Sequence, residues 1–248
     1  MFTLMYGNYT FPNVTFEVRG LPLDNDIRES TIPRMNGSYV QTSYLKSRKI
    51  RIRGYLHNTI NTTTESQLMD MQAALVGTGI DSSFQYRSDR YINCRMKSIE
   101  ADFTEGTDKA VMEVNIDLLA SNPFFYSTGA SYSNVQTHTG GTLSFNFSNG
   151  GNAFSEPIIY ICATGGTITD GISIMSITDS SKNFRYRGTL NNGLTLKVDS
   201  SDFTVLNNGV DGLTNFEGNF LNLLAGTNYF VYSGMTCRIT TEYKYRWF

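Results

Sequence analysis

Apolar and polar residues alternate with a period of two along much of this chain, the spacing of half-buried β-strands. Between Val111 and Leu119 the residues Met112, Val114, Ile116 and Leu118 share one face, and Glu113, Asn115 and Asp117 share the other. The stretch Tyr39 to Tyr55 behaves alike, with Ile50 and Ile52 set between Lys49, Arg51 and Arg53. Phe11, Val14, Phe16 and Val18 predict an opening strand before a turn at Gly20-Leu21-Pro22, and further strands are expected over Ser83 to Tyr86 and Tyr91 to Glu100. Leu23 to Gly37 is charged, contains Pro33 and shows little periodicity, so it is expected to be a long loop. One helix breaks the alternation: Thr64 and Gln67 stand at capping-box spacing, Leu68, Met71 and Leu75 recur at helical intervals, and Gly77 and Gly79 follow as a stop.

Asn122-Pro123-Phe124-Phe125-Tyr126 closes this first unit, and the small, polar run Ser127 to Gly141 follows. The boundary is placed there, giving units 1–128 and 129–248. The second half reads as purely β, with strands at Leu143–Phe147, Pro157–Ile161, Phe203–Leu206, Phe220–Leu223, Tyr229–Tyr232 and Cys237–Trp247. Asn191-Asn192-Gly193 lies between Tyr186–Leu190 and Leu194–Val198 and predicts a hairpin with a primed turn. Short strands at this spacing predict a β-sandwich. The fold class is mainly β: an N-terminal β domain with one α-helix, then a sandwich.

Composition agrees with that reading. The 248 residues include 15 Tyr, 16 Phe and 22 Gly against 5 Pro, a mixture suited to short strands and tight turns. Twenty Lys and Arg against 22 Asp and Glu leave a net charge of -2, so there is no global basic field to hold nucleic acid. The opening MFTLMYGNYTFP has neither the basic run nor the apolar stretch of a signal peptide, so synthesis in a cytosol is expected. The sequons at Asn8, Asn13, Asn36, Asn61 and Asn146 are then background in a Thr- and Asn-rich chain.

No chemical constellation emerges. Cys94, Cys162 and Cys237 are far apart and odd in number, so reduced thiols in strands are expected. His57 and His138 have no partners at metal spacing and no nucleophile motif to serve. Asp24, Asp26 and Glu29 lack the ligand spacing of a Ca²⁺ loop, and these, like Asp199 and Asp202, read as solvated loop acids. Gly165-Gly166 lacks the Lys of a phosphate loop and reads as a turn. Neither catalytic residues, nor a cofactor, nor a metal is expected. Lys49, Arg51 and Arg53 stack three cations along about 13 Å of one strand face, and cross-strand pairing with Glu113 and Asp117 is the plain reading.

Taken in order, these segments resemble a known family. They are the basic strand Arg48-Lys49-Ile50-Arg51-Ile52-Arg53-Gly54, the run Ser121 to Tyr126, Glu156 to Ile161, Leu194 to Asp199, Gly218 to Leu223 and Leu224 to Asn228. The arrangement resembles the distal tail protein family of siphophages, the phage tail component type, over nearly the whole chain. The resemblance implies an N-terminal belt domain that closes a homohexameric ring, and a galectin-like C-terminal β-sandwich. It also implies a structural virion role at the tail tip, between the tail tube and the hub or baseplate. Tail tube protein, hub protein and in some relatives a receptor-binding protein would be neighbours, with DNA passing transiently through the lumen. In that setting Lys49, Arg51, Arg53, Glu113 and Asp117 become candidate subunit-interface residues, with pairing inside one chain, pairing between subunits and contact with passing DNA all open. The alternative function is a carbohydrate-binding receptor module of the tail tip. Trp247, the single Trp, reads as a core or interface aromatic, because the residue pattern of true galectins is not found.

Overall fold

A computed structural model describes residues 4–11, 17–22, 24–31, 38–59, 63–76, 81–105, 110–129, 132–169 and 171–248, with the backbone alone for 25–31, 38–44 and 132–134. The chain divides into two compact units, Met1–Thr128 with Phe248, and Gly129–Trp247. It is mainly β with one α-helix among the described residues.

The first unit is built on an antiparallel sheet in the order Tyr9–Thr10, Met5–Tyr6, Ser82–Arg87, Arg90–Phe103, Val111–Ala120, Arg48–His57, Glu17–Arg19. Period-two patterning decides its faces: Ile50, Ile52 and Leu56 of one central strand and Val114, Ile116 and Leu118 of the next are almost wholly buried. The long strand Arg90–Phe103 carries a bulge between Met96 and Ser98, which restores the phase so that Ile99 stands opposite Ile116. Gly20 is required where it sits, at φ +81°, because a Cβ there would lie 2.0 Å from the Lys49 carbonyl oxygen.

The helix spans Thr64–Val76 and buries Met71 and Leu75. Its cap is one residue earlier than the capping-box spacing suggests. The Thr63 hydroxyl accepts the Ser66 N–H at 3.2 Å, and the Gln67 side-chain amide donates instead to the His57 carbonyl at 2.8 Å. Asn58 accepts the Thr64 N–H at 2.7 Å, so the helix start is tied to the end of the strand before it.

The loop expected over Leu23 to Gly37 is contradicted: Asn25–Thr31 pairs antiparallel with Ser38–Leu45, with a bulge between Arg28 and Glu29. A two-stranded ribbon joined by backbone hydrogen bonds needs no apolar period, which is why the pattern was silent. Asp26 and Glu29 are therefore strand positions, while Lys46 donates its N–H to the Asp24 carbonyl at 2.9 Å. Val14, Phe16, Gly77 and Gly79 lie outside the described residues.

The second unit is a sandwich of two antiparallel sheets. One runs Tyr132–His138, Cys237–Tyr243, Ile158–Ala163, Thr195–Asp199, Thr204–Asn207, Val210–Asp211; the other runs Gly141–Asn149, Gly226–Gly234, Ile172–Ser176, Asn183–Tyr186, Phe216–Gly218. Their inner faces share one core that includes Phe147, Ile161, Phe184, Leu196, Phe230 and Ile239. Buried amides seal its end: Asn149 donates to the carbonyls of Ala153 and Leu223 at 2.8 and 3.1 Å.

Three expectations fail here. Tyr132–His138, within the stretch taken as a polar linker, is an edge strand paired along its length with Cys237–Tyr243. Phe220–Leu223 makes only an isolated bridge, Leu223 to Ser155, and the ladder strand is Phe216–Gly218. Asn191-Asn192-Gly193 makes no hairpin: Thr189–Leu190 pairs with Ile168–Thr169, whereas Thr195–Asp199 pairs with Ile158–Ala163 and Thr204–Asn207. In that turn Gly193 has φ +79° and Asn192 is not at positive φ, so it is not a primed turn. The primed turn is Asn208-Gly209, at φ +50° and +82°, between Thr204–Asn207 and Val210–Asp211.

Candidate assembly surface

The polar face of the first unit's sheet brings the five candidate residues together. Arg51 stands directly opposite Asp117, Arg53 opposite Asn115, Tyr55 opposite Glu113 and Lys49 opposite Leu119. Arg51 grips Asp117 through two parallel bonds, Nε to Oδ1 at 2.7 Å and Nη2 to Oδ2 at 3.0 Å. Arg53 reaches diagonally to Glu113, Nε to Oε1 at 2.7 Å, and Asn115 donates to the same oxygen at 3.3 Å. On the next strand out, Arg19 makes a similar fork to Glu17, at 2.9 and 3.0 Å. Lys49 is exposed and has no carboxylate partner among the described residues.

These pairs set the protonation of the face. The Arg51 guanidinium holds the Asp117 carboxyl below the usual range, and hydrogen bonds from Arg53 and Asn115 do the same for Glu113. The arginine side chains remain about half exposed, 62% for Arg51 and 46% for Arg53, so each pair is a solvent-screened contact. The face thus offers a mixed, largely self-neutralised ladder, with Lys49 at its end as the one cation without a carboxylate partner among the described residues.

Sequence reasoning missed Arg48. It shares phase with Ile50 and Ile52, and its side chain turns inward with them to 3% exposure. There it lies 4.5 Å from the Phe125 ring centroid and donates through Nη1 to the Leu21 carbonyl, while Nε and Nη2 have no partner among the described residues. The parity of the strand was the available signal.

The remaining candidates form no reactive site. Burial pushes the Cys94 thiol up to about 12, and Cys237 is raised by the same cause. His57 is exposed, and His138 is buried with Nε2 at 3.3 Å from the Gly234 carbonyl. Asp199 is no solvated loop acid: it is 2% exposed, accepts from Ser201 N and Oγ at 3.1 and 2.7 Å, and pairs with Lys197 at 2.9 Å. Gly165-Gly166 is a turn, its Gly166 N–H donated to the Asn192 side chain at 3.2 Å. Trp247 is half-buried and edge-on to Tyr245 at 6.2 Å. No group of three or more metal-ligating side chains occurs among the described residues.

No family model and no curated protein matches this sequence. Solved structures do. The crystal structure of the Dit protein of SPP1, described as a paradigm of the hub adsorption apparatus in phages infecting Gram-positive bacteria, aligns over 99% of both chains with a TM-score of 0.76 at 15% identity. A chain of the phage P2 baseplate in its activated conformation with Ca aligns over 98% of both chains at 10% identity and a TM-score of 0.48. At 15% identity the property shared with SPP1 Dit is the fold.

Proposed function

We propose that this chain is a structural virion protein that forms a ring, six copies around, at the distal end of a long non-contractile phage tail. The ring links the tail tube to the tip hub or baseplate, works by shape without catalysis, and leaves a channel for DNA. The observation carrying this reading is the end-to-end likeness to SPP1 Dit, 99% of both chains at a TM-score of 0.76. The first unit is the ring-forming belt, and the charged ladder of Lys49, Arg51, Arg53, Glu113 and Asp117 is its candidate contact with a neighbour. Ring closure by a single chain type needs two different complementary faces, and a surface of both signs suits one half of such a contact.

The test is stoichiometry and shape. Negative-stain images and native mass of the purified protein, alone and with its tube and hub partners, are expected to show a closed six-membered ring with an axial hole. A monomer that persists beside those partners, or tails that mature without this chain, overturns the proposal.

A further inference from the structure

The outer face of the second unit's five-strand sheet carries a groove of about 330 Å³ that the assembly reading leaves unused. Strand register lays out its surroundings as a grid. Met175 pairs with Val231 on one side and Asn183 on the other; Ser173 pairs with Ser233 and with Arg185; Arg185 pairs with Glu217. Ile172, Ile174 and Phe184 alternate with these residues and fill the core, so the outward set is imposed by the same period that buries its neighbours. Ser173 and Ser233 are short where Met175, Val231 and Arg185 are tall, and that difference in height makes the depression.

The chemistry of the lining narrows its ligand. The backbone of Ile172–Ser176 is paired on both sides, so a peptide cannot add there as a strand. Both signs of charge border the groove, with Glu217 already held by Arg187 at 2.7 Å, which selects against a ligand of high net charge. The apolar row of Met175 and Val231 lies one residue pair along the strands from the row of Ser173, Ser233 and Arg185, a step of about 7 Å. A site with the C–H-compatible Met175 and Val231 and the Asn183 amide in one row, and hydroxyl and guanidinium groups in the next, within one ring's width, matches a pyranose. The volume falls at the small end of ligand-binding clefts.

We propose that this groove binds a neutral saccharide ring, with Met175 and Val231 under its C–H face and Ser173, Ser233, Asn183 and Arg185 toward its hydroxyls. The proposal goes beyond the assembly role and does not rest on it.

The experiment uses the whole chain with ¹³C-methyl-labelled methionine, titrated with cellotriose, maltotriose and chitotriose, and with a uronic-acid trimer as the anionic arm. A saturable shift of the Met175 methyl with a neutral trimer, at a Kd of about 1 mM, is expected. Ser233→Tyr fills the depression from an exposed position and should abolish that shift while the other methionine signals stay in place. Arg185→Ala, which leaves the depression open, should weaken binding about tenfold. No Met175 shift with any neutral trimer, a response to the anionic trimer alone, or a shift that survives Ser233→Tyr undiminished overturns the proposal.

Discussion

Arg51 and Asp117 face each other at directly paired positions of adjacent antiparallel strands and join through two parallel hydrogen bonds of 2.7 and 3.0 Å. The pair satisfies itself within one chain, which separates two roles for it. Arg51→Glu is expected to lower Tm by about 2 °C, because an exposed pair is screened. Combining Arg51→Asp with Asp117→Arg should restore Tm. If the face meets a neighbour, the swapped protein still fails to close rings when imaged; normal rings from the swapped protein would confine the pair to one chain.

Acid should weaken the second unit through Asp199. Burial alone would push its carboxyl up, but hydrogen bonds from Ser201 and Lys197, with the Lys197 charge, outweigh that and hold it below the ordinary range. A folded-state pKa below the unfolded value near about 4 means stability present above that pH and lost as pH falls through the folded value. Asp199→Asn is therefore expected to cost about 1–3 kcal/mol at pH 7, and its Tm gap to wild type should narrow on acidification below about pH 4. A gap independent of pH would refute the assignment.

Arg48 is a buried cation without a carboxylate partner among the described residues, its pKa lowered chiefly by burial. Arg48→Met keeps an unbranched chain against the Phe125 ring and removes two donors that have no acceptor among the described residues. Thermal melts should show a gain of about 2–4 °C, on the order of 1 kcal/mol. A loss of several degrees would show that the bond to the Leu21 carbonyl outweighs the burial cost.

Two identical triplets, Asn191-Asn192-Gly193 and Asn207-Asn208-Gly209, invite a paired comparison. Asn208 sits at φ +50°, which proline cannot adopt, so Asn208→Pro should cost about 3 kcal/mol or more. Asn192 is not at positive φ, and Asn192→Pro should lose little beyond the Asn192 bond to Gly166. Equal Tm losses in the two variants would contradict the turn assignment.

The charged ladder was legible because a period of two commits every second residue to one face, so Lys49, Arg51 and Arg53 had to share a side, as did Glu113 and Asp117. The same parity places Arg48 with Ile50 and Ile52, although a cation at that position draws no notice in a pattern of hydrophobicity. Which partners meet was not legible. Arg53 takes Glu113 diagonally instead of the residue opposite it, a choice made by register and side-chain length.

Periodicity in the chain alone therefore determined that the described residues are built of strands with one helix, and which side chains of those strands face inward, since both follow from local backbone geometry. Tertiary structure alone decided that Tyr132–His138 is a strand, that the polar ribbon Asn25–Thr31 and Ser38–Leu45 pairs, and that one Asn-Asn-Gly makes a hairpin while the other passes between separate pairings. Backbone hydrogen bonds to distant strands confer these outcomes, and such bonds leave no periodic trace in the residues that make them.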